Sequence, residues 1–212
     1  MVDLSLLTEA VKNGNRAEAG KQAGAAITGN VPAQQILDAL VLAMDEVGRK
    51  FQCNEIFVPE MLIAARAMKE CMALLEPLLV KANIKPAFTA VIGTVQGDLH
   101  DIGKNLVAIM WKGANFGVVD LGSNVSPERF AAAAKEHSAR VVGLSALLTT
   151  TMPAMKLTVD AIRAAGLDRT AIVIGGAPIT GDFARDIGAD AYAPDAASAV
   201  NVVRKLIGTE NP

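Results

Sequence analysis

From about Phe88 onward the chain repeats one pattern that narrows its fold more than any other feature: a short apolar run of strand type, then a helical stretch. The runs are Phe88–Gly93, Phe116–Leu121, Arg140–Ala146, Ala171–Gly176 and, more weakly, Asp190–Ala193. The helical stretches are Ile102–Gly113, Pro127–His137, Met152–Ala165, one near Phe183–Ile187, and a closing Asp195–Leu206. Apolar runs without polar alternation belong to strands covered on both faces, and strands joined through helices run parallel. The pattern therefore predicts an α/β domain with a five-stranded parallel sheet and helices on both faces. Right-handed crossovers then gather the C-terminal ends of the strands, and the loops that follow them, along one edge.

The first 85 residues follow a different rule. Leu4, Leu7 and Val11 share a helical face that ends at Asn13-Gly14, and an Ala-rich helix spans Arg16–Ile27. Pro32 opens a third helix at its first position, with apolar residues Ile36, Leu40, Met44 and Val47 spaced by four and three. A loop is expected from Phe51 to Val58, and Pro59 opens a fourth helix carrying Leu62, Ala65, Met68 and Met72 until Pro77 kinks or ends it. Four helices with short connections predict a small bundle over residues 1–85, with the second domain over 86–212 and the linker at Lys81–Pro86.

Composition restricts the partners. The chain of 212 residues is 51% hydrophobic and 20% charged, with a formal net charge of −2, so it can bury a core. It has no Lys/Arg-rich run and only one Trp and one Tyr, which argues against nucleic acid and against an anionic membrane. The start, Met1-Val2-Asp3-Leu4-Ser5, lacks the basic and apolar regions of a signal peptide. No apolar run reaches the roughly 18 residues of a membrane span. Cys53 and Cys71 lie far apart without CxxC spacing, so neither a disulfide framework nor a structural zinc site is expected. These features predict a cytoplasmic globular protein.

Three segments at strand ends carry the chemistry. Asp98-Leu99-His100-Asp101-Ile102-Gly103 follows the first strand, Ser145 to Thr151 the third, and Gly175-Gly176-Ala177-Pro178 the fourth. A carboxylate beside an imidazole can take one ring N–H and leave the other nitrogen as a metal ligand. The hydroxyls of Thr149–Thr151 could hold that carboxylate in turn. Equally, Asp98 and His100 could cap the next helix, with Gly97 and Gly103 serving the turn. A lone His is too few ligands for a protein-only zinc site, so a metal at His100 needs a cofactor to supply the rest. Gly175-Gly176 reads either as ordinary turn chemistry or as backbone cleared for an extended ligand. The first turn has no GxGxxG, which leaves the dinucleotide reading without its fingerprint.

Taken together these segments resemble a known signature. Asp98-x-His100-x-x-Gly103, then 41 residues, then Ser145-x-Leu147, then 27 residues, then Gly175-Gly176 is similar to the pattern of cobalamin-binding Rossmann-like domains. Gly48-Arg49-Lys50-Phe51 and Ile56-Phe57-Val58-Pro59-Glu60 extend the resemblance into the helical part. Nearly the whole chain thus resembles the corrinoid methyl carriers of three-component methyltransferase systems, with the cobalamin module of methionine synthase as a larger relative.

The resemblance implies a four-helix cap followed by a Rossmann-like, flavodoxin-like domain, with a cobalamin or related corrinoid as cofactor. It implies that His100 is the lower axial cobalt ligand, that Asp98 bonds its other nitrogen, and that Thr151 completes the relay. Asp101, Ile102 and Gly103 belong to the same cofactor loop. Ser145, Leu147 and Thr149 would line the pocket of the displaced nucleotide tail, with Gly175, Gly176 and Ala177 along its path. Phe51, Val58 and Met61 match the apolar cap over the upper face, although from the residues alone an ordinary bundle core is the first reading. The implied activity is acceptance of a methyl group on Co(I) from a substrate-specific methyltransferase and its carriage as methyl-Co(III). Delivery would follow through a second methyltransferase to a thiol or tetrahydrofolate, with a reductive activation protein as third partner. Such a carrier has no complete active site alone. A radical-mutase subunit would use the same module, and a cobalamin sensor would require an output such as a basic DNA-binding helix.

Overall fold

The computed structural model describes residues 3–208. They divide into two compact units, one reaching to Pro86 together with Gly113–Asn115, the other formed by Ala87–Lys112 and the chain from Phe116 onward.

The first unit is built from α1 (Leu4–Lys12), α2 (Arg16–Thr28), α3 (Ala33–Gln52) and α4 (Val58–Lys81). Each boundary has a local cause. The Asp3 carboxylate accepts from the Ser5 N–H at the start of α1, and the Asn15 side chain accepts from the Glu18 N–H at the start of α2. At the start of α4 the Glu60 carboxylate accepts from the Phe57 N–H. The chain leaves α2, α3 and α4 through Asn30, Asn54 and Asn83, all in the left-handed region where the short Asn side chain is tolerated. Helix α3 packs on α1 and α4, and α2 on α1 and α4, around buried Leu7, Ile36, Leu40, Met44 and Leu75.

Three expectations change here. Helix α3 runs through Phe51 to Gln52, so the loop starts later than its mixed polarity indicated. Pro77 does not end α4, which continues to Lys81. A proline inside a helix costs about 3 kcal/mol. Leu75 and Leu79 are buried on either side of it, and burying each contributes about 1.5–3 kcal/mol, enough to carry the helix through. Pro32 is likewise the N-cap residue of α3 and stands just outside its first turn.

The second unit alternates β1 (Thr89–Thr94), α5 (Ile102–Gly113), β2 (Gly117–Asp120), α6 (Pro127–Glu136), β3 (Val141–Ser145), α7 (Met152–Ala164), β4 (Ala171–Gly175), α8 (Gly181–Ile187), β5 (Ala191–Tyr192) and α9 (Ala196–Ile207). The strands form one parallel sheet in the order β2-β1-β3-β4-β5, the flavodoxin-like arrangement. Alternation along β1 separates the faces. Val91 and Val95 join Phe130, Val142, Leu144, Met155, Val159 and Ile162 in one buried cluster beneath α6 and α7. Ile92 faces the other way, beside the place where Trp111 of α5 lies over Gly143.

This strand order positions the site. The chain leaves β1 to one side to form β2 and crosses back to form β3, so the connections after β1 and after β3 diverge from neighbouring strands. The crevice at such a switch point is where open α/β sheets bind ligands.

Candidate functional site

The loop after β1 folds back over the sheet edge. Gly97, at φ +85°, makes the turn, a conformation that favours glycine. Asp98 then lies fully buried, while the His100 side chain is 51% exposed. Oδ1 of Asp98 accepts from the His100 backbone N–H at 2.9 Å and from His100 Nδ1 at 2.8 Å. Oδ2 accepts from the Thr151 hydroxyl at 2.8 Å and from the backbone N–H groups of Leu147 at 2.7 Å and Leu148 at 3.3 Å. A short 3-10 turn, Thr149–Thr151, brings the hydroxyl into reach.

Burial alone would push the Asp98 carboxyl up, and it is the largest single influence on it. The bonds from the His100 and Leu147 amides, the Thr151 hydroxyl and the imidazole together outweigh it and hold the carboxyl well below the usual carboxylate range. Each bond to a charged acceptor is worth about 1.5–3 kcal/mol, so several of them exceed the cost of desolvating one carboxylate. An ionised carboxylate only accepts. Nδ1 of His100 therefore carries the proton of this bond, which leaves Nε2 as the ring nitrogen that can offer a lone pair.

The helix-capping alternative is excluded by these partners. None of the five groups that donate to Asp98 is an amide of α5, which begins at Ile102. Gly103 does not serve the turn either, because it lies inside α5 with no atom within 4 Å of where a Cβ would stand.

Around His100 the surface is apolar. Leu99 and Ile102 are 72% and 76% exposed, and Leu147 and Leu148 are 43% and 41% exposed. A patch of large apolar side chains beside one presented imidazole fits a large, largely apolar cofactor. Among the described residues no group of three or more His, Cys, Asp or Glu could hold a metal ion. A metal bound at His100 would take its other ligands from a cofactor.

The remaining sequence-predicted residues sort by position. Asp101 and Ile102 stand at the entry to α5, and Ser145 ends β3, its carbonyl accepting from the Val95 N–H at 3.0 Å. Thr149 is exposed and makes no bond to Asp98; of the three threonines, Thr151 alone holds the carboxylate. Gly175 ends β4, and Gly176, at φ +137°, passes so close to β3 that a Cβ would lie 1.8 Å from the Ala146 carbonyl oxygen. The chain itself thus requires Gly176, and Ala177 follows it on the surface. Phe51, Val58 and Met61 lie in the first unit. Phe51 and Val58 are half-buried and Met61 fully buried, while the neighbouring Phe57 is 62% exposed.

Sequence reasoning missed the Leu147 and Leu148 amides, because backbone donors leave no residue-type signature. It also missed Asn124. At φ +54° its Oδ1 accepts from the Gly97 N–H at 2.8 Å, and its own N–H donates to the Asp98 carbonyl at 2.9 Å. An Asn two residues after a glycine and just before a predicted helix is the only trace it leaves.

Two family profiles, each described as a B12 binding domain, match residues 88–201 and 4–76. Trimethylamine corrinoid protein 1 of Methanosarcina acetivorans is 39% identical over 194 residues, covering 90% of this chain and 89% of that protein. A corrinoid protein of Desulfitobacterium hafniense is 37% identical over 177 residues, 82% of each chain. Among solved structures, the methanol:cobalamin methyltransferase complex of Methanosarcina barkeri matches with a TM-score of 0.87 and 28% identity, over 98% of this chain and 80% of that one. A cobalamin-binding protein of Desulfitobacterium hafniense matches with a TM-score of 0.83 and 29% identity, over 97% and 99%.

Proposed function

This chain belongs to the corrinoid proteins built on B12 binding domains, and from that premise we propose that it carries a methyl group between two methyltransferases, with His100 as the protein's ligand to cobalt. The observation that carries the ligand role is the half-exposed His100 ring, its Nδ1 engaged by a buried carboxylate and its Nε2 left to coordinate.

A bound corrinoid would supply the cobalt and the chemistry of taking up and giving up a methyl group. Every other task falls to residues of the chain. His100 would offer Nε2 to the cobalt. Asp98 fixes the tautomer and orientation of the ring, as outer-sphere carboxylates do for metal-bound histidines. The Thr151 hydroxyl has one proton and two acceptors in reach, Asp98 Oδ2 at 2.8 Å and the Leu148 carbonyl at 2.9 Å. It can therefore lend its proton to the carboxylate or withdraw it, which adjusts how basic the imidazole is. Ile102, Gly103, Leu147 and Thr149 offer surface to the cofactor beside the ring, with Asp101, Ser145, Gly175, Gly176 and Ala177 along the neighbouring strand ends. Phe51 and Val58 would act as apolar shielding residues, whereas Met61 is fully buried and offers no surface for that role.

The partners proposed are a substrate-specific methyltransferase, a second methyltransferase that passes the methyl group to a thiol or to tetrahydrofolate, and a protein that restores the cobalt by reduction. Membership of a family with methylamine corrinoid proteins supports the first of these.

The full chain reconstituted with cobalamin is expected to show a spectrum with imidazole, and not the cofactor's own base, on cobalt. His100→Ala should abolish it. An unchanged spectrum in that variant would refute the ligand role.

A further inference from the structure

We propose that Asn124, anchored through the ion pair of buried Lys104 with Asp120, is a positioning residue for His100, so that the loop after β2 sets how firmly the imidazole is held toward cobalt. The inference rests on the ligand role proposed above and extends it to residues outside the Asp98, His100 and Thr151 relay.

The Asp98 side chain is held from the β3 side, by Leu147, Leu148 and Thr151. Those bonds fix the carboxylate but not the backbone that carries it. The backbone is held from the opposite side of β1. Asn124 takes the Gly97 N–H at 2.8 Å and gives its own N–H to the Asp98 carbonyl at 2.9 Å, so the Gln96–Gly97 and Asp98–Leu99 peptide groups on either side of the Asp98 amide are held by one residue. On the same side the Thr94 hydroxyl donates to the His100 carbonyl at 3.1 Å.

The clamp has its own anchor. Lys104, in the first turn of α5, has a side chain only 2% exposed, and its Nζ lies 2.7 and 2.6 Å from the two oxygens of Asp120 and 2.6 Å from Asn105 Oδ1. Asp120 Oδ1 also accepts from the Gly122 N–H at 2.9 Å, and the Gly122 carbonyl accepts from the Thr94 N–H at 2.9 Å. Val125 N–H then donates to the Thr94 carbonyl at 3.0 Å. The loop from Leu121 to Val125 is thus pinned at both ends, and Asn124 is presented from a fixed frame. A buried cation that finds three oxygens does not wander, and removing its partner would leave a charge without solvent.

The test compares Asn124→Gly with Asn124→Asp in the full chain loaded with methylcobalamin at neutral pH. Glycine accepts the left-handed backbone but removes the acceptor, whereas aspartate keeps an oxygen for the Gly97 N–H. Asn124→Gly is expected to lower the ratio of imidazole-on to imidazole-off cobalt about tenfold, the low end of the range for outer-sphere partners of a metal ligand. Asn124→Asp should restore most of it. Lys104→Met should act in the same direction wherever it folds. An unchanged ratio in Asn124→Gly, beside its loss in His100→Ala, would overturn the positioning role and leave the ligand role intact. So would a fall in total cobalamin bound at constant ratio, which is the mark of a merely structural residue, or an aspartate variant as weak as the glycine one. If His100→Ala itself leaves the spectrum unchanged, the ligand role fails first and this inference with it.

Discussion

At the end of β1 a carboxylate gathers donors from two stretches of chain; at the end of β4 two glycines offer little but backbone. Both stand on the same edge of one parallel sheet, yet one is shaped by bonds and the other by the removal of atoms. Around Asp98 the interactions are directional, so replacing one member leaves the others facing a missing partner. At Gly176 the constraint is contact, a carbonyl oxygen where a Cβ would be. A site can therefore contain residues of equal necessity whose necessity differs in kind, and substitution separates the two.

The largest effect is expected at Gly176→Ala. The added carbon would collide with the Ala146 carbonyl and sit at a φ that disfavours side chains, so a loss of more than about 4 kcal/mol in urea unfolding is expected. A variant within about 1 kcal/mol of the parent would break the steric half of the comparison.

Asp98→Asn comes next, with a loss of about 3 kcal/mol, because an amide NH2 must face N–H or O–H donors where an oxygen accepted. The acid sensitivity should change as well. The folded carboxyl titrates below its ordinary value, so its contribution is fully present above about pH 4 and is lost as pH falls further toward the folded-state value. Urea midpoints measured in steps of pH below about 4 should fall more steeply for the parent than for Asp98→Asn. Parallel profiles would show that the bonds around Asp98 do not favour its charge.

Gly103→Ala sharpens the comparison from the other side. Among the described residues nothing lies within 4 Å of where a Cβ at Gly103 would stand, and alanine is the better helix former, so stability should rise by about 0.5–1 kcal/mol. Cobalamin affinity, read by visible titration, should fall, since the proposed cofactor surface is what needs the space. Unchanged affinity would place Gly103 outside the site.

The strands and helices of the second unit were legible because burial on both faces and helical periodicity leave strong marks, as in Ala171–Gly175 and Met152–Ala164. Boundaries shifted by a residue or so where pairing ends before the apolar run does, as at Phe88 and Phe116. Of the two effects expected of Pro77, ending the helix did not occur, because the proline rule is local and the burial of Leu75 and Leu79 is not. In the site, residue type marked Asp98, His100 and the Thr149–Thr151 cluster as candidates, and only the resemblance singled out Thr151 and favoured the ligand reading over a helix cap. The Leu147 amide could not, since every residue has one, and Lys104 and Asp120, 16 positions apart, look like ordinary surface charges until the fold buries the lysine.

Every partner of Asp98 is a residue of this chain, and that has a thermodynamic consequence. The rotamers of His100 and Thr151 are restricted when the chain folds, not when a ligand arrives. Ordering a side chain on binding costs about 0.5–1.5 kcal/mol, and for these two the entropy has already been lost. On the proposed reading, loading the site would add a guest to a seat whose side chains are already ordered.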